Sequence, residues 1–158
     1  MWGLLLAFAS GAGGLKPATL LADQPAFERE LAALQADKVP VVVHFWATWC
    51  HACVEEFASL APALSQVIAA GGKVMLVSLD EPSMRATDVP AFLAHHAVPG
   101  TSYLLADADP ELMAKAIDRK WPVGVLPATF VFSGGKRLKS FFGPADADAV
   151  LEAAKVRR

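Results

Sequence analysis

From Val39 to Trp46 the chain reads Val-Pro-Val-Val-Val-His-Phe-Trp, a β-branched and aromatic run with hardly any polar alternation. A run of that kind is a strand covered on both faces, and such strands belong to sheets with helices packed on either side. The neighbouring segments agree. Asp23 can cap a helix over 24–37, with Pro25 in the first turn and Phe27, Leu31 and Leu34 on one face. A second helix begins at or just after Cys50 and is closed by Gly71-Gly72, with Pro62 expected to kink it.

Further along, Lys73–Leu79 reads as a second buried strand and Asp88–Ala97 as a crossover helix stopped by Pro99-Gly100. Tyr103–Ala106 is a short strand and Pro110–Ile117 a short helix. Thr129–Phe132, the turn Ser133-Gly134-Gly135 and Arg137–Phe142 form a hairpin, followed by an amphipathic helix from Pro144 towards Val156. Strands alternating with helices predict a parallel sheet with right-handed crossovers, and the hairpin adds an antiparallel edge. The expected class is α/β, a three-layer α/β/α sandwich with a mixed sheet.

At 158 residues this is one domain's worth of chain, with no internal repeat or linker after residue 20. A domain of that size buries roughly 70% of its unfolded surface and needs neither disulfides nor a structural metal to fold. Its two cysteines, Cys50 and Cys53, are therefore free for chemistry. The 14 basic and 16 acidic residues give a net charge of −2, which excludes a nucleic-acid footprint. Apolar content is 54%, but 30 residues are alanine and the apolar stretches are interrupted by charge or proline, as in a globular protein.

Residues 1–19 stand apart from the domain expected over 20–158. No charged side chain occurs between Met1 and Leu15, and Trp2–Ala9 is followed by the small residues Ser10–Gly14. The pattern is that of the apolar core and cleavage zone of a secretory signal, or the remnant of a membrane anchor, without the usual basic start. It is shorter than the ~20 apolar residues that span a bilayer. The other reading is an apolar N-terminus docked on the domain.

The chemistry lies in Phe45-Trp-Ala-Thr-Trp-Cys-His-Ala-Cys-Val-Glu-Glu56. Two cysteines three apart at a helix start can close a small disulfide loop. There, free backbone N–H groups and the helix dipole favour the thiolate that is the nucleophile of disulfide exchange. Cys50 is the attacking sulfur, and Cys53, one turn inside, the resolving one.

Phe-Trp-Ala-Thr-Trp-Cys-x-x-Cys after a Val-Val-Val strand resembles the active site of the thioredoxin superfamily. Glu55-Glu56-Phe57 is similar to its TlpA/ResA-like branch of exported thiol-disulfide oxidoreductases. Val125-Leu-Pro-Ala-Thr-Phe130 matches the second family signature, and Ser133–Lys136 and Gly143 fall at the family's hairpin turn and the start of its last helix. The likeness runs in order over about residues 20–156 and implies a thioredoxin-like fold. It implies a cis peptide at Pro127 facing the disulfide, with the backbone of Leu126 pairing an extended substrate. Leu126, Trp49 and Trp46 would form an apolar rim around Cys50.

The chain departs from the family in three places. His44 stands where thioredoxin has a buried carboxylate; it either moves the proton of Cys53 or packs as a core histidine. His51-Ala52 lies between the cysteines, and a protonated His51 would stabilise the Cys50 thiolate and make the pair more oxidising. Glu81 falls where the ResA-like branch has an acid approaching the cysteines, with Asp80 an equal occupant and a solvated helix cap the plainer role.

The resemblance implies a thiol-disulfide oxidoreductase whose redox group is the Cys50–Cys53 disulfide itself, with no bound cofactor and no metal. Its partners would be a cysteine-containing protein substrate and a membrane thiol-redox donor, its location periplasmic or membrane-anchored facing the periplasm, and its state monomeric. A common task of the branch is to keep cytochrome c or copper-site cysteines reduced, which favours a reductant.

Two alternatives use the same residues. A copper or zinc handling protein would combine the cysteines with His51, His95 or His96, although adjacent His95 and His96 point about 100° apart on a helix. A redox-inert interaction module would keep only the fold. The close CxxC spacing disfavours a peroxidase, and Gly11–Gly14, which no strand precedes, is no nucleotide loop.

Overall fold

The computed structural model describes residues 15–156, so residues 1–14 of the signal-like segment 1–19 lie outside the described residues, as do 157–158. Six strands form one sheet, β1 (Thr19–Leu21), β2 (Val41–Trp46), β3 (Lys73–Ser78), β4 (Thr101–Leu105), β5 (Ala128–Ser133) and β6 (Lys136–Phe142), in the order β1-β4-β3-β2-β5-β6. The first four run parallel, and β5 is antiparallel to both β2 and β6. All six residues of β2 are buried, as the unbroken apolar run requires of the strand on which both faces of the sheet are covered.

The helices are α1 (Gln24–Gln35), α2 (His51–Ala69), α3 (Asp88–His95), α4 (Pro110–Ile117) and α5 (Ala147–Ala153). Side chains on β2 alternate between two cores. Val42 and Trp46 pack with Phe57 and Leu60 of α2, Val89 of α3 and Leu151 of α5. Val41, Val43 and Phe45 pack with Phe27 of α1 and Met113 and Ile117 of α4. The arrangement is the expected three-layer sandwich.

Local signals account for most boundaries. Asp23 caps α1 by accepting the Ala26 N–H at 2.9 Å, and Asp109 caps α4 by accepting the Glu111 and Leu112 N–H groups. Gly134 and Gly135 both have positive φ, 57° and 75°, as the two-residue turn between β5 and β6 demands. α2 continues past Pro62 as one helix.

Two elements differ from expectation. Thr19–Leu21 is a strand, paired in register with Tyr103–Leu105; three residues carry too little pattern to declare themselves without the partner. Pro82–Ala86 is a 3-10 turn between β3 and α3.

Candidate active site

The strand–helix junction after β2 positions the cysteines. Ala47–Trp49 turn the chain, the Cys50 N–H donates to the Ala47 carbonyl at 3.1 Å, and α2 starts at His51. Cys50 and Cys53 are joined in a disulfide with 5.3 Å between their Cα atoms. Cys50 Sγ occupies the helix cap and accepts the Cys53 N–H at 3.2 Å. Cys50 is 7% exposed and Cys53 fully buried, so only the first sulfur faces outward.

The Leu126–Pro127 peptide is cis, as the resemblance implied, and Leu126 is half-buried. Leu126 and Trp49, the residues that precede Pro127 and Cys50, both line an apolar cavity of about 240 Å³, completed by Phe45, Leu79, Met113 and Trp121 among others. Trp49 is 68% exposed. Trp46, expected on the same rim, is instead completely buried beneath it, its ring centroid 5.4 Å from Phe57 and 5.1 Å from Phe92. The alternation of β2 turns it into the core on the α2 side, so it is floor rather than rim.

His44 lies in that same core, completely buried. Its Nδ1 is 2.9 Å from Thr129 Oγ1, its register partner on β5, and its Nε2 faces Glu56 Oε2 at 3.7 Å. Neither of those two facing atoms has a hydrogen-bond partner. Glu56 Oε1 accepts the Ala145 N–H just before α5. Burial pushes the Glu56 carboxyl up from 4.5 to about 7, against the lowering effect of the Ala145 N–H, and pushes the His44 imidazole down to about 3. His44 is therefore neutral at physiological pH.

Glu56 is the site residue that motif reading passed over as a functional group. The signal was present: Cys53, Glu56, Phe57, Leu60 and Leu64 share one helical stripe, which places a carboxylate on the buried face one turn after the resolving cysteine.

The acid expected after β3 also resolves differently. Glu81 is exposed at the start of the 3-10 turn and makes no side-chain cap bond there. Asp80 is the buried one: it accepts the Thr48 N–H at 3.0 Å, the Thr48 hydroxyl at 2.7 Å and the Ser78 hydroxyl at 2.6 Å. These bonds tie the end of β3 to the turn that presents Trp49 and Cys50.

His51 points into solvent and meets Glu55 at 3.3 Å, one turn along the helix. His95 and His96 have nearly perpendicular rings, and His96 stacks 4.4 Å from Phe92. Among the described residues no group of three or more His, Cys, Asp or Glu side chains is placed to hold a metal ion.

A buried strand, a disulfide at the helix start and a cis peptide at Pro127 point to one superfamily, and the AhpC/TSA family model matches residues 16–140. The chain belongs to the AhpC/TSA family. The thioredoxin of Streptomyces clavuligerus is 27% identical to it over 129 residues, spanning 82% of this chain and 88% of that protein.

Two solved structures share the fold of this AhpC/TSA-family protein. The thioredoxin-related protein of Neisseria meningitidis serogroup B superposes with a TM-score of 0.60 at 24% identity, over 77% of this chain and 87% of the other. The secreted thiol-disulfide isomerase of Corynebacterium glutamicum gives 0.60 at 23% identity, over 78% and 72%. With its Cys50–Cys53 disulfide, this family member is a thioredoxin-like thiol-disulfide oxidoreductase.

Proposed function

We propose that the protein reduces disulfides in extracytoplasmic proteins and is recharged by a membrane thiol-redox donor. The observation that carries the chemistry is the placement of Cys50 Sγ at the start of α2, accepting the Cys53 N–H, with Cys53 buried behind it. In the reduced protein the Cys50 thiolate attacks the substrate disulfide. A Cys50–substrate bond forms, the substrate S–S bond breaks, and the departing substrate sulfur takes up a proton. Cys53 then gives its proton to Glu56 and attacks Cys50 Sγ, which breaks the mixed disulfide and leaves the internal disulfide, while the second substrate sulfur departs as a thiolate and takes up a proton from solvent. Two electrons have passed from the cysteine pair to the substrate, and the membrane donor returns them.

Glu56 takes the acid–base role in preference to Glu81, because it is buried one turn from Cys53 and titrates near neutrality. His44 contributes by orienting that carboxyl. The substrate lies extended along the backbone of Leu126, and the cavity between Trp49 and Leu126 receives an apolar side chain next to its reactive cysteine. The uncharged segment at residues 1–15 supports export. No helix among the described residues is long and apolar enough to cross a membrane.

Equilibration of the Cys50–Cys53 pair against glutathione, paired with Cys53→Ala trapping from a periplasmic extract, tests this reading. A potential near or below that of thioredoxin, about −270 mV, and a trapped mixed disulfide are expected. A potential as high as about −120 mV would make the protein an oxidant and overturn the reductant role.

A further inference from the structure

The exchange chemistry gives His44 the task of orienting Glu56 but leaves unexplained its pairing with Thr129. The two face each other in adjacent strands, on the side of the sheet that packs against α2, and the imidazole touches Thr129 on one edge and looks at Glu56 with the other. A neutral imidazole carries one N–H and one bare nitrogen, and the ring choice is set by what each neighbour can offer. Thr129 Oγ1 can donate or accept. Glu56 Oε2 can donate only when protonated and only accepts when ionised.

We propose that His44 and Thr129 are positioning residues forming a tautomer switch that follows the proton on Glu56. When Glu56 is protonated, its Oε2–H donates to bare His44 Nε2 and the His44 Nδ1–H donates to Thr129 Oγ1. When Glu56 is ionised, the ring carries its hydrogen on Nε2 and donates it to the carboxylate, while the Thr129 hydroxyl donates to Nδ1. The two states differ by one proton, which is the one on Glu56; the imidazole is neutral in both.

Three observations support the switch. His44 Nε2 and Glu56 Oε2 are buried, face each other and have no other partner, a costly arrangement that closing the 3.7 Å gap removes. The second carboxylate oxygen is held by the Ala145 N–H, so Oε2 alone is left for the ring. Burial lowers the imidazole's proton affinity, so gain of a proton on Glu56 changes the ring's tautomer and not its charge.

Among the described residues, the ion pair of His44 is with Glu56, and the elements packed around the two present apolar groups and one amide. β3 presents Leu76 as the register partner of His44, α2 presents Phe57, α3 presents Phe92 against Phe57, and the segment before α5 adds the Ala145 N–H. The carboxylates at the start of α5, Asp146 and Asp148, are exposed. The switch lets the site accept the Cys53 proton with Glu56 hydrogen-bonded before and after the transfer. Its use in catalysis rests on the proton path from Cys53 to Glu56 proposed above, whereas its existence does not.

The test reads the His44 ring nitrogens by 15N NMR in the full-length protein between pH 5 and 9. It is run on the oxidised form and on a Cys50→Ser, Cys53→Ser variant that cannot exchange disulfides. A change from Nδ1–H at low pH to Nε2–H at high pH, with a midpoint near 7, is expected in both. A single tautomer across the range, or a protonated ring, overturns the switch. Thr129→Ser keeps the hydroxyl and should keep the transition, whereas Thr129→Val and Glu56→Gln should each abolish it. A transition that survives Thr129→Val removes Thr129 from the switch. If the transition holds but reduction of protein disulfides is absent, the switch stands and the proposed function falls.

Discussion

The Cys53 N–H, shared with the Cys50 carbonyl at 3.0 Å, points at Cys50 Sγ from 3.2 Å, which places the outer sulfur against the first turn of α2 and at the positive end of its dipole. An anion there is stabilised relative to a thiol. In the reduced protein, Cys50 should titrate below the ordinary thiol value of about 8.5. Iodoacetamide alkylation of a Cys53→Ala variant, which keeps the backbone donor, should show a midpoint at least one pH unit lower; an ordinary thiol profile would contradict the helix-start account.

Stability should carry the opposed titrations of His44 and Glu56. Glu56 has a raised affinity for its proton in the folded state, from 4.5 to about 7, so it costs stability as pH rises through that window. His44 has a lowered affinity, from 6.5 to about 3, so its stabilising contribution is lost as pH falls through that window. Between 4.5 and 6.5 the two slopes cancel. Chemical denaturation of His44→Asn should uncover the Glu56 slope, a folding constant falling about tenfold per pH unit on going up from 4.5 towards 7. Glu56→Gln should uncover the reverse slope below 6.5.

Asp80 holds the active-site turn through Thr48 and Ser78. Asp80→Ala leaves the half-buried donors at Thr48 and the buried Ser78 hydroxyl without their acceptor and should cost about 2–4 kcal/mol of stability. Disulfide exchange should slow in the same variant, because the turn presenting Trp49 and Cys50 loses its tie to β3. Urea melts and exchange rates measured together check both effects, and an unaltered melt would show that the turn holds itself.

The cavity between Trp49 and Leu126 should discriminate among substrates. Met113 lines it from α4, and Met113→Trp would fill part of the 240 Å³. Peptide disulfides with Leu or Phe beside the cysteine should lose about tenfold in kcat/KM, the value of a large apolar contact or two. Peptides with Ser in that place should be little affected. Equal losses for both would point to a distortion of the site.

Much of this was legible in the residues themselves. β2 declared itself because its run is apolar on both faces, and α4 because Asp109 and Pro110 mark its start. The exchange pair was legible because its spacing and its place after β2 carry the chemistry. Glu56 was readable only by phase: it sits on the stripe of Cys53, Phe57 and Leu60, and helical periodicity assigns it inward before any motif does. Thr129 was beyond reach, since its role depends on the register of β5 against β2. Asp80 and Glu81 are adjacent, and which one turned inward was decided by hydroxyls on Thr48 and Ser78. Trp46 and Trp49 are three apart, yet one ends a strand and the other stands on a turn, so similar rings have opposite exposures.

The contacts that complete the site reach far along the chain: His44 meets a residue 85 positions later and Glu56 one 89 positions later. During synthesis, the two cysteines therefore emerge well before β5 and the residues that lead into α5. A ribosome-bound fragment has sulfurs able to cross-link but neither the cis-Pro127 segment nor the amide that holds Glu56. The pair of sulfurs is thus made early, while the surroundings that complete the site arrive only when the C-terminal third docks.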